Sequence, residues 1–175
     1  MRAYMHNEKQ PVKNTSFAIT GYYPGVIGDI VGLHGAYYHE HWDLDKTFEV
    51  EVARELADFM HRFDDDRDGF WAATSDDGFL GSIALDGTNV QDEGARLRWF
   101  IVNPDAQGVG VGTRLMQTAL SFAASKGYER LYLWTFEGLK SARKIYDRFG
   151  FEVIHQERVV EWGRELLQQK MMKKR

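Results

Sequence analysis

Gln107-Gly108-Val109-Gly110-Val111-Gly112 is the stretch that decides how this chain folds. It lies between an apolar strand, Leu97 to Val102, and an amphipathic helix predicted from about Thr113 to Ser125. Three glycines at alternate positions leave backbone N–H groups uncovered, and the following helix turns the positive end of its dipole toward them. Main chain alone then forms an anion cradle, suited to a phosphate or pyrophosphate. Strand, loop and helix in that order give the glycine triplet its weight.

Two phosphate-binding patterns fail here. A P-loop needs Gly-x-x-x-x-Gly-Lys-Ser/Thr, and no such Lys follows Gly112. A dinucleotide fingerprint needs Gly-x-Gly-x-x-Gly in the first βαβ unit, whereas this loop reads Gly-x-Gly-x-Gly and follows four predicted strands.

Working outward, the helix after the loop points Leu115, Met116, Ala119, Leu120 and Ala123 inward and ends at Gly127, a left-handed C′ position. Leu131 to Thr135 reads as a buried central strand. Ser141 to Phe149 is a helix closed by Gly150, and Phe151–His155 and Leu166–Met172 are the last two strands. Upstream, residues to about Asn14 form a polar lead-in and Phe17–Thr20 a first strand. A glycine-weakened helix spans Ile27–Tyr38, with Ile27, Ile30, Val31, Ala36 and Tyr37 as its apolar residues. A clearer helix spans Phe48–Phe63, with Ala53, Leu56, Ala57, Met60 and Phe63 on one face. Three short strands follow at Phe70–Thr74, Leu80–Leu85 and Ala95–Val102. The fold class is α/β in the broad sense, an α+β mixed sheet with helices on both faces. Residues 15–175 form one domain on this reading, after the 1–14 extension.

A chain of 175 residues with 43% hydrophobic content can bury a good-sized core. No apolar run approaches the ~20 residues that span a bilayer, and Met1–His6 lacks a signal-like apolar region. A cytoplasmic protein without a membrane partner is expected. The absence of Cys rules out disulfides, thiolate zinc sites and a cysteine nucleophile. His39-x-His41 makes a poor metal site, so no metal is expected. The net charge of −4 speaks against nonspecific nucleic-acid binding. The basic run Lys170–Arg175 reads as a solvated tail.

The block from Trp99 to Met116 resembles the coenzyme A motif of the GNAT N-acetyltransferases. That motif is Arg/Gln-x-x-Gly-x-Gly/Ala after an apolar strand, and Gln107, Gly110 and Gly112 occupy its fixed positions. A second block, Ala142–Phe151, is similar to the family's Ala-x-x-x-Tyr-x-x-x-Gly-Phe helix and strand start. The family often carries Asn three residues before that Ala, where this chain has Leu139. The resemblance implies the acyl-CoA N-acyltransferase fold, a mostly antiparallel sheet splayed between its fourth and fifth strands. It also implies that Ile101 and Val102 offer backbone groups to pantetheine. Gln107, Gly108, Val109, Gly110, Val111, Gly112 and Thr113 would then hold the pyrophosphate of acetyl-CoA, the acyl donor.

Acetyl transfer to an amine needs a positioned donor, a neutral amine, an oxyanion partner and a proton for the leaving thiolate. Tyr146, from the second block, is the candidate acid: a phenol of pKa ~10 suits a thiol of pKa ~8.5. No base stands out as well; Glu137, Glu40, His39 and His41 are the candidates, and each reads more naturally as a surface or structural residue. Without cysteine, direct attack in a ternary complex is favoured.

In the family, the first two helices and the last hairpin shape the acceptor pocket. Here that region holds Tyr22, Tyr23, Tyr37, Tyr38, His39, His41, Trp42 and Phe48, with Glu40, Asp43, Asp45, Glu49 and Glu51 close by. The set suits a cationic or amphipathic amine, of a small molecule or protein, through cation–π and charge contacts, with core packing and a solvated face as the plainer account. Tyr4, Trp99, Trp134 and Trp162 are taken as packing residues. The alternative function is a catalytically inactive coenzyme-binding sensor or regulatory module. The chain also resembles acetyltransferase halves fused behind MarR-type winged-helix regulators; no DNA-binding segment precedes the fold, so no nucleic-acid partner is expected. A homodimer fits the family's habit.

Overall fold

A computed structural model describes residues 16–175; the expected polar extension over 1–14, and Tyr4 with it, lie outside the described residues. The elements run β1 (Ala18–Thr20), α1 (Val26–Trp42), α2 (Lys46–His61), β2 (Gly69–Ser75), β3 (Gly78–Asp86) and β4 (Ala95–Val102). A short 3-10 turn (Pro104–Ala106) leads to α3 (Val111–Ser125), β5 (Arg130–Phe136), α4 (Lys140–Arg148), β6 (Glu152–Glu161) and β7 (Arg164–Lys174). One seven-stranded sheet has the order β1-β2-β3-β4-β5-β7-β6. Among the described residues only β4 and β5 run parallel, and they pair at just Ala95–Leu131 and Arg96–Tyr132 before separating. This is the splay expected between the fourth and fifth strands.

The two faces carry separate cores. α3 and α4 pack Leu115, Met116, Ala119 and Tyr146 against Ile83, Leu97 and Leu133. On the opposite face, Val26, Ile30, Leu56 and Phe59 of α1 and α2 cover Phe70, Ala72 and Ala84. A third cluster joins Leu44, Phe136 and Leu166 with Phe48 and Trp162. Burying each large apolar side chain contributes about 1.5–3 kcal/mol before chain entropy is counted.

Several expectations need correction. The buried stripe of α2 is Val52, Leu56 and Phe59, not the one through Ala53 and Ala57; Ala57 is exposed. Spacing of i, i+4, i+7 fits both stripes, and the larger Val and Phe win because they bury more apolar area. In α1 the buried residues are Val26, Ile30, His34 and Gly35, while Ala36 is exposed. That helix also runs four residues past Tyr38, to Trp42, where Asp43 (φ 54°) caps it. The basic C-terminus is no tail: Lys170 to Lys174 pair with β5 as part of β7. β6 extends to Glu161, past the expected His155, although nearly all of its residues are exposed. A two-residue turn at Trp162-Gly163, with φ of 51° and 78°, links it to β7 in the geometry favoured by twisted hairpins.

Candidate active site

The glycine loop folds as its residue types require. Gly108 and Gly110 have φ of 84° and 91°, left-handed conformations that cost other L-residues about 1–2 kcal/mol. Gly110 is the N-cap of α3 and offers no side chain to its free N–H groups. The first backbone bond of the helix is Arg114 N–H to the Gly110 carbonyl at 3.0 Å. Among the described residues, none accepts a hydrogen bond from the N–H groups of residues 108–113. Gly112 serves a different end: a Cβ there would lie 2.8 Å from Ile145 Cδ1 and 3.3 Å from Val102 Cγ2. It lets α3 approach α4 and β4.

A cavity of about 550 Å³ runs along this loop. It gathers Ile101, Val102, Gln107, Gly108, Gly110, Val111, Gly112 and Thr113, all singled out from the sequence. Val109 is the exception and stands exposed outside the lining. Lys144 and Arg148, one turn apart on α4, face the same cavity, and among the described residues neither forms an ion pair. Sequence reasoning missed both, though their spacing of four within the second motif was a usable signal.

A second cavity, about 180 Å³, fills the wedge where β4 leaves β5. Its walls include Arg96 to Phe100 of β4, Leu133 to Phe136 of β5, His34 and Tyr38 of α1 and Phe48, Glu51 and Glu55 of α2. Tyr146 lines this chamber rather than the long one. Its ring is buried, 5.8 Å from Phe100 and 6.2 Å from Phe151. Burial, helped by the neighbouring Tyr38, pushes its phenol well above the ordinary value. Its hydroxyl makes no hydrogen bond to another described residue. Tyr38, Phe100 and Leu139 line both cavities, so the two spaces meet at one shared wall.

The wedge exists because β4 is bulged. Register with β3 shifts between Ser82 and Ala84, and Trp99 takes φ of 46°. Ser82 Oγ donates to the Trp99 carbonyl at 2.7 Å and fixes the irregularity. Such bulges re-aim backbone groups and end ladder pairing. Trp99, Trp134 and Trp162, expected to be packing residues, all border the chamber. Trp99 and Trp162 pack as well, at 5.3 Å from Phe59 and 5.1 Å from Phe48. Trp162 also ties the last hairpin to α2, its Nε1 donating to Glu51 Oε2 at 2.9 Å.

Apart from Glu51, the charge around the chamber comes from residues the sequence did not advertise. Arg98 bonds Glu55 and Asp86, and Asp86 also binds Arg62. Burial alone would raise the Asp86 carboxyl, but hydrogen bonds from Arg62 and Thr88 outweigh it and bring it down to about 2. His34 is buried, and loss of hydration pushes its imidazole down to about 4 against the opposing pull of the Ile30 carbonyl. The signal available was Arg96-Leu97-Arg98, two cations inside a strand whose neighbours are apolar.

Of the bases weighed from sequence, none lines either cavity. Glu137 borders a separate hollow with Gly138 and Arg143. His39, Glu40 and His41 are exposed on the last turns of α1, with His39 Nδ1 3.0 Å from the Leu44 carbonyl. Of the aromatic set, Tyr37 and Tyr38 reach the long cavity and Tyr38 and Phe48 the chamber. Tyr22 is exposed, Tyr23 bonds Asp29 at 2.9 Å, and Trp42 packs on Phe136. Of the acids only Glu51 enters; Asp43 pairs with Arg164, and Asp45 caps α2 through Thr47. Among the described residues, no group of three or more His, Asp or Glu clusters as ligands, and no helix is long and apolar enough to cross a membrane.

Known proteins match this architecture. The model of the acetyltransferase (GNAT) family matches residues 33–151. An uncharacterized N-acetyltransferase of Methanocaldococcus jannaschii is 33% identical over 91 residues, 50% of this chain and 40% of its own. Human N-acetyltransferase 8B is 29% identical over 98 residues, 54% of this chain and 43% of its own. The matched part therefore spans about half or less of the length of these curated relatives. Among solved structures, yncA from Salmonella typhimurium, which holds its cofactor acetyl-CoA, superposes with a TM-score of 0.72 at 16% identity, covering 90% of this chain and 93% of its own. Spermidine N-acetyltransferase from Vibrio cholerae, in complex with CoA and spermine, gives 0.66 at 18% identity, covering 90% and 95%. At that identity the likeness is one of fold. With a family match over more than half of the chain, the conclusion is plain: this protein belongs to the GNAT acetyltransferase family.

Proposed function

We propose that the chain is an N-acetyltransferase that moves the acetyl group of acetyl-CoA onto a primary amine of a small molecule or protein, with residues 15–175 working as one domain. The observation that carries this reading is the shared wall of Tyr38, Phe100 and Leu139 between the loop cavity and the Tyr146 chamber. A donor seated on one side and an acceptor on the other would meet there.

The residues present fit the donor. Free N–H groups at 108–113 are suited to a diphosphate, and Lys144 and Arg148 add positive charge beside them. The bare edge of β4 at Ile101 and Val102 suits an extended arm with amide groups. Leu139, where the family often has Asn, brings only apolar contact. When bound, acetyl-CoA supplies an activated acetyl thioester. Tyr146 is the acid for the departing sulfur, and burial keeps its phenol protonated across the working pH range. Burial also makes it a weaker acid than a free tyrosine, so the near match of ~10 to ~8.5 drawn from the sequence does not carry over to the folded chain. The chamber lining balances two acids, Glu51 and Glu55, with two cations, Arg96 and Arg98. Glu51, which forms no ion pair among the described residues, is the carboxylate there that can meet an ammonium group.

Titration calorimetry with acetyl-CoA, followed by thiol release across an amine panel, tests the reading. Saturable heat and amine-dependent release are expected. Heat without turnover of any amine would favour the regulatory module instead, and no heat would end both readings.

A further inference from the structure

We infer that the acceptor is an amine that also carries a carboxylate, and that Arg96 is the residue that seats it. This rests on the transferase reading above and narrows its substrate class. Arg96 sits on β4 at the last residue pair before the strands part, opposite Tyr132, and its side chain lines the chamber. Its Nε is buried without any hydrogen-bond partner. Among the described residues, no carboxylate lies within ion-pair distance of its guanidinium.

The acids nearby are already committed. Glu55 is bound by Arg98, and Asp86 is shared by Arg62 and Arg98. Glu93 is bound by Lys170 at 2.6 Å, and its carboxyl is lowered first by that lysine, with Arg96 only a late contributor. Glu51 accepts from the Trp162 indole. Arg96 is thus a half-buried cation on the lining of the chamber, without an ion-pair partner among the described residues. A buried N–H left without an acceptor is a standing cost, and an uncompensated guanidinium in a shielded site costs more.

A carboxylate in the chamber would offset the second cost, because the two terminal nitrogens of the guanidinium, unlike the sealed Nε, are not buried away from it and present N–H groups in the spacing of two carboxylate oxygens. One unpaired guanidinium matches one negative charge, which favours a carboxylate over a phosphate dianion. The chamber, about 180 Å³, is smaller than the ~300–1,000 Å³ of drug-sized sites and suits a compact amino acid. With the carboxylate on Arg96, the rest of such a ligand lies in the same chamber as Tyr146.

The experiment compares compact amines that differ only in the carboxylate: alanine with ethylamine, valine with isobutylamine, leucine with 3-methylbutylamine. The wild type should favour the carboxylated member of its best pair by about 10–100-fold in kcat/KM, as expected for a charge-assisted bidentate contact. Arg96→Gln should abolish that preference through KM, leave the plain amine within about twofold, and leave acetyl-CoA affinity unchanged, which also reports a folded chain. Arg96→Lys should recover part of the preference. Equal rates within each pair, or equal losses on both members in Arg96→Gln, overturn the inference. If acetyl-CoA binds but no amine is acetylated, the transferase reading fails. Calorimetry of the same amino acids into coenzyme-loaded protein then decides: heat lost in Arg96→Gln upholds the anion seat, and its absence in the wild type overturns it.

Discussion

Ser82 Oγ donates to the carbonyl of Trp99 at 2.7 Å, joining a fully buried hydroxyl on β3 to the residue with φ of 46° on β4. This bond holds the chain where strand pairing breaks, and so holds open the wedge that the two cavities share. Ser82→Ala leaves a buried carbonyl without its partner, at a cost of about 1–3 kcal/mol. Chemical denaturation should show that loss, and kcat should fall with it while KM for acetyl-CoA moves little. An unchanged kcat at reduced stability would mean that the bulge persists without the bond.

Tyr146→Phe should lower kcat about 100-fold or more, the ordinary worth of a positioned acid, with acetyl-CoA affinity preserved. The sign of the pH effect follows from the environment. Burial raises the phenol's pKa, so the protonated form persists on the alkaline side of the ordinary ~10. The wild-type profile should therefore show no fall assignable to Tyr146 below about pH 10. Stopped-flow or steady-state rates from pH 6 to 10 check this, and a Phe variant with full kcat would remove the tyrosine from the chemistry.

Two glycines of the loop should fail for different reasons. Gly112→Val forces side-chain atoms into Ile145 and Val102, overpacking that costs about 1–3 kcal/mol and displaces the start of α3. Gly110→Ala meets no atom within 4 Å, yet its φ of 91° carries strain of about 1–2 kcal/mol. Both should weaken acetyl-CoA binding, but only the valine should lower the melting temperature by more than the backbone strain explains. Calorimetric affinity and thermal melts of the pair separate the two causes.

His34 and Asp86 should divide the acid side of the stability curve. The unfolded imidazole takes a proton near pH 6.5, whereas the buried one waits until about 4. Stability should therefore fall as pH drops through that window, by up to about 3 kcal/mol, and flatten in His34→Gln. Asp86 acts lower: its folded carboxyl sits at about 2, so its contribution is complete above about pH 4 and lost between 4 and 2. Urea midpoints at pH 7, 5 and 3 for wild type, His34→Gln and Asp86→Asn test both windows.

Legibility in the sequence followed the range of the interactions. The glycine loop, α3 and the Gly127 and Gly150 stops were readable because each depends on residues within one or two turns. β6 was cut short because an edge strand with exposed residues on both faces shows no alternation to read. The inward face of α2 was misassigned because small Ala53 and Ala57 share the periodicity of Val52, Leu56 and Phe59. One contiguous motif supplied the loop side of the long cavity, but not the α4 residues Lys144, Ile145 and Arg148 that face it. The chamber was read only in part: Tyr38, Phe48, Glu51 and Tyr146 were singled out, whereas Arg96, His34 and Glu55 come from three elements that only the sheet order and helix packing bring together.

The position of β7 between β5 and β6 has an outcome for synthesis. A nascent chain that stops before Arg164 leaves β6 with no neighbour to pair with and the wedge without its outer wall, since the only route from β6 to β5 runs through the final strand. The half of the molecule around the glycine loop can begin to assemble on the ribosome, while the half around the chamber must wait until β7 has been made.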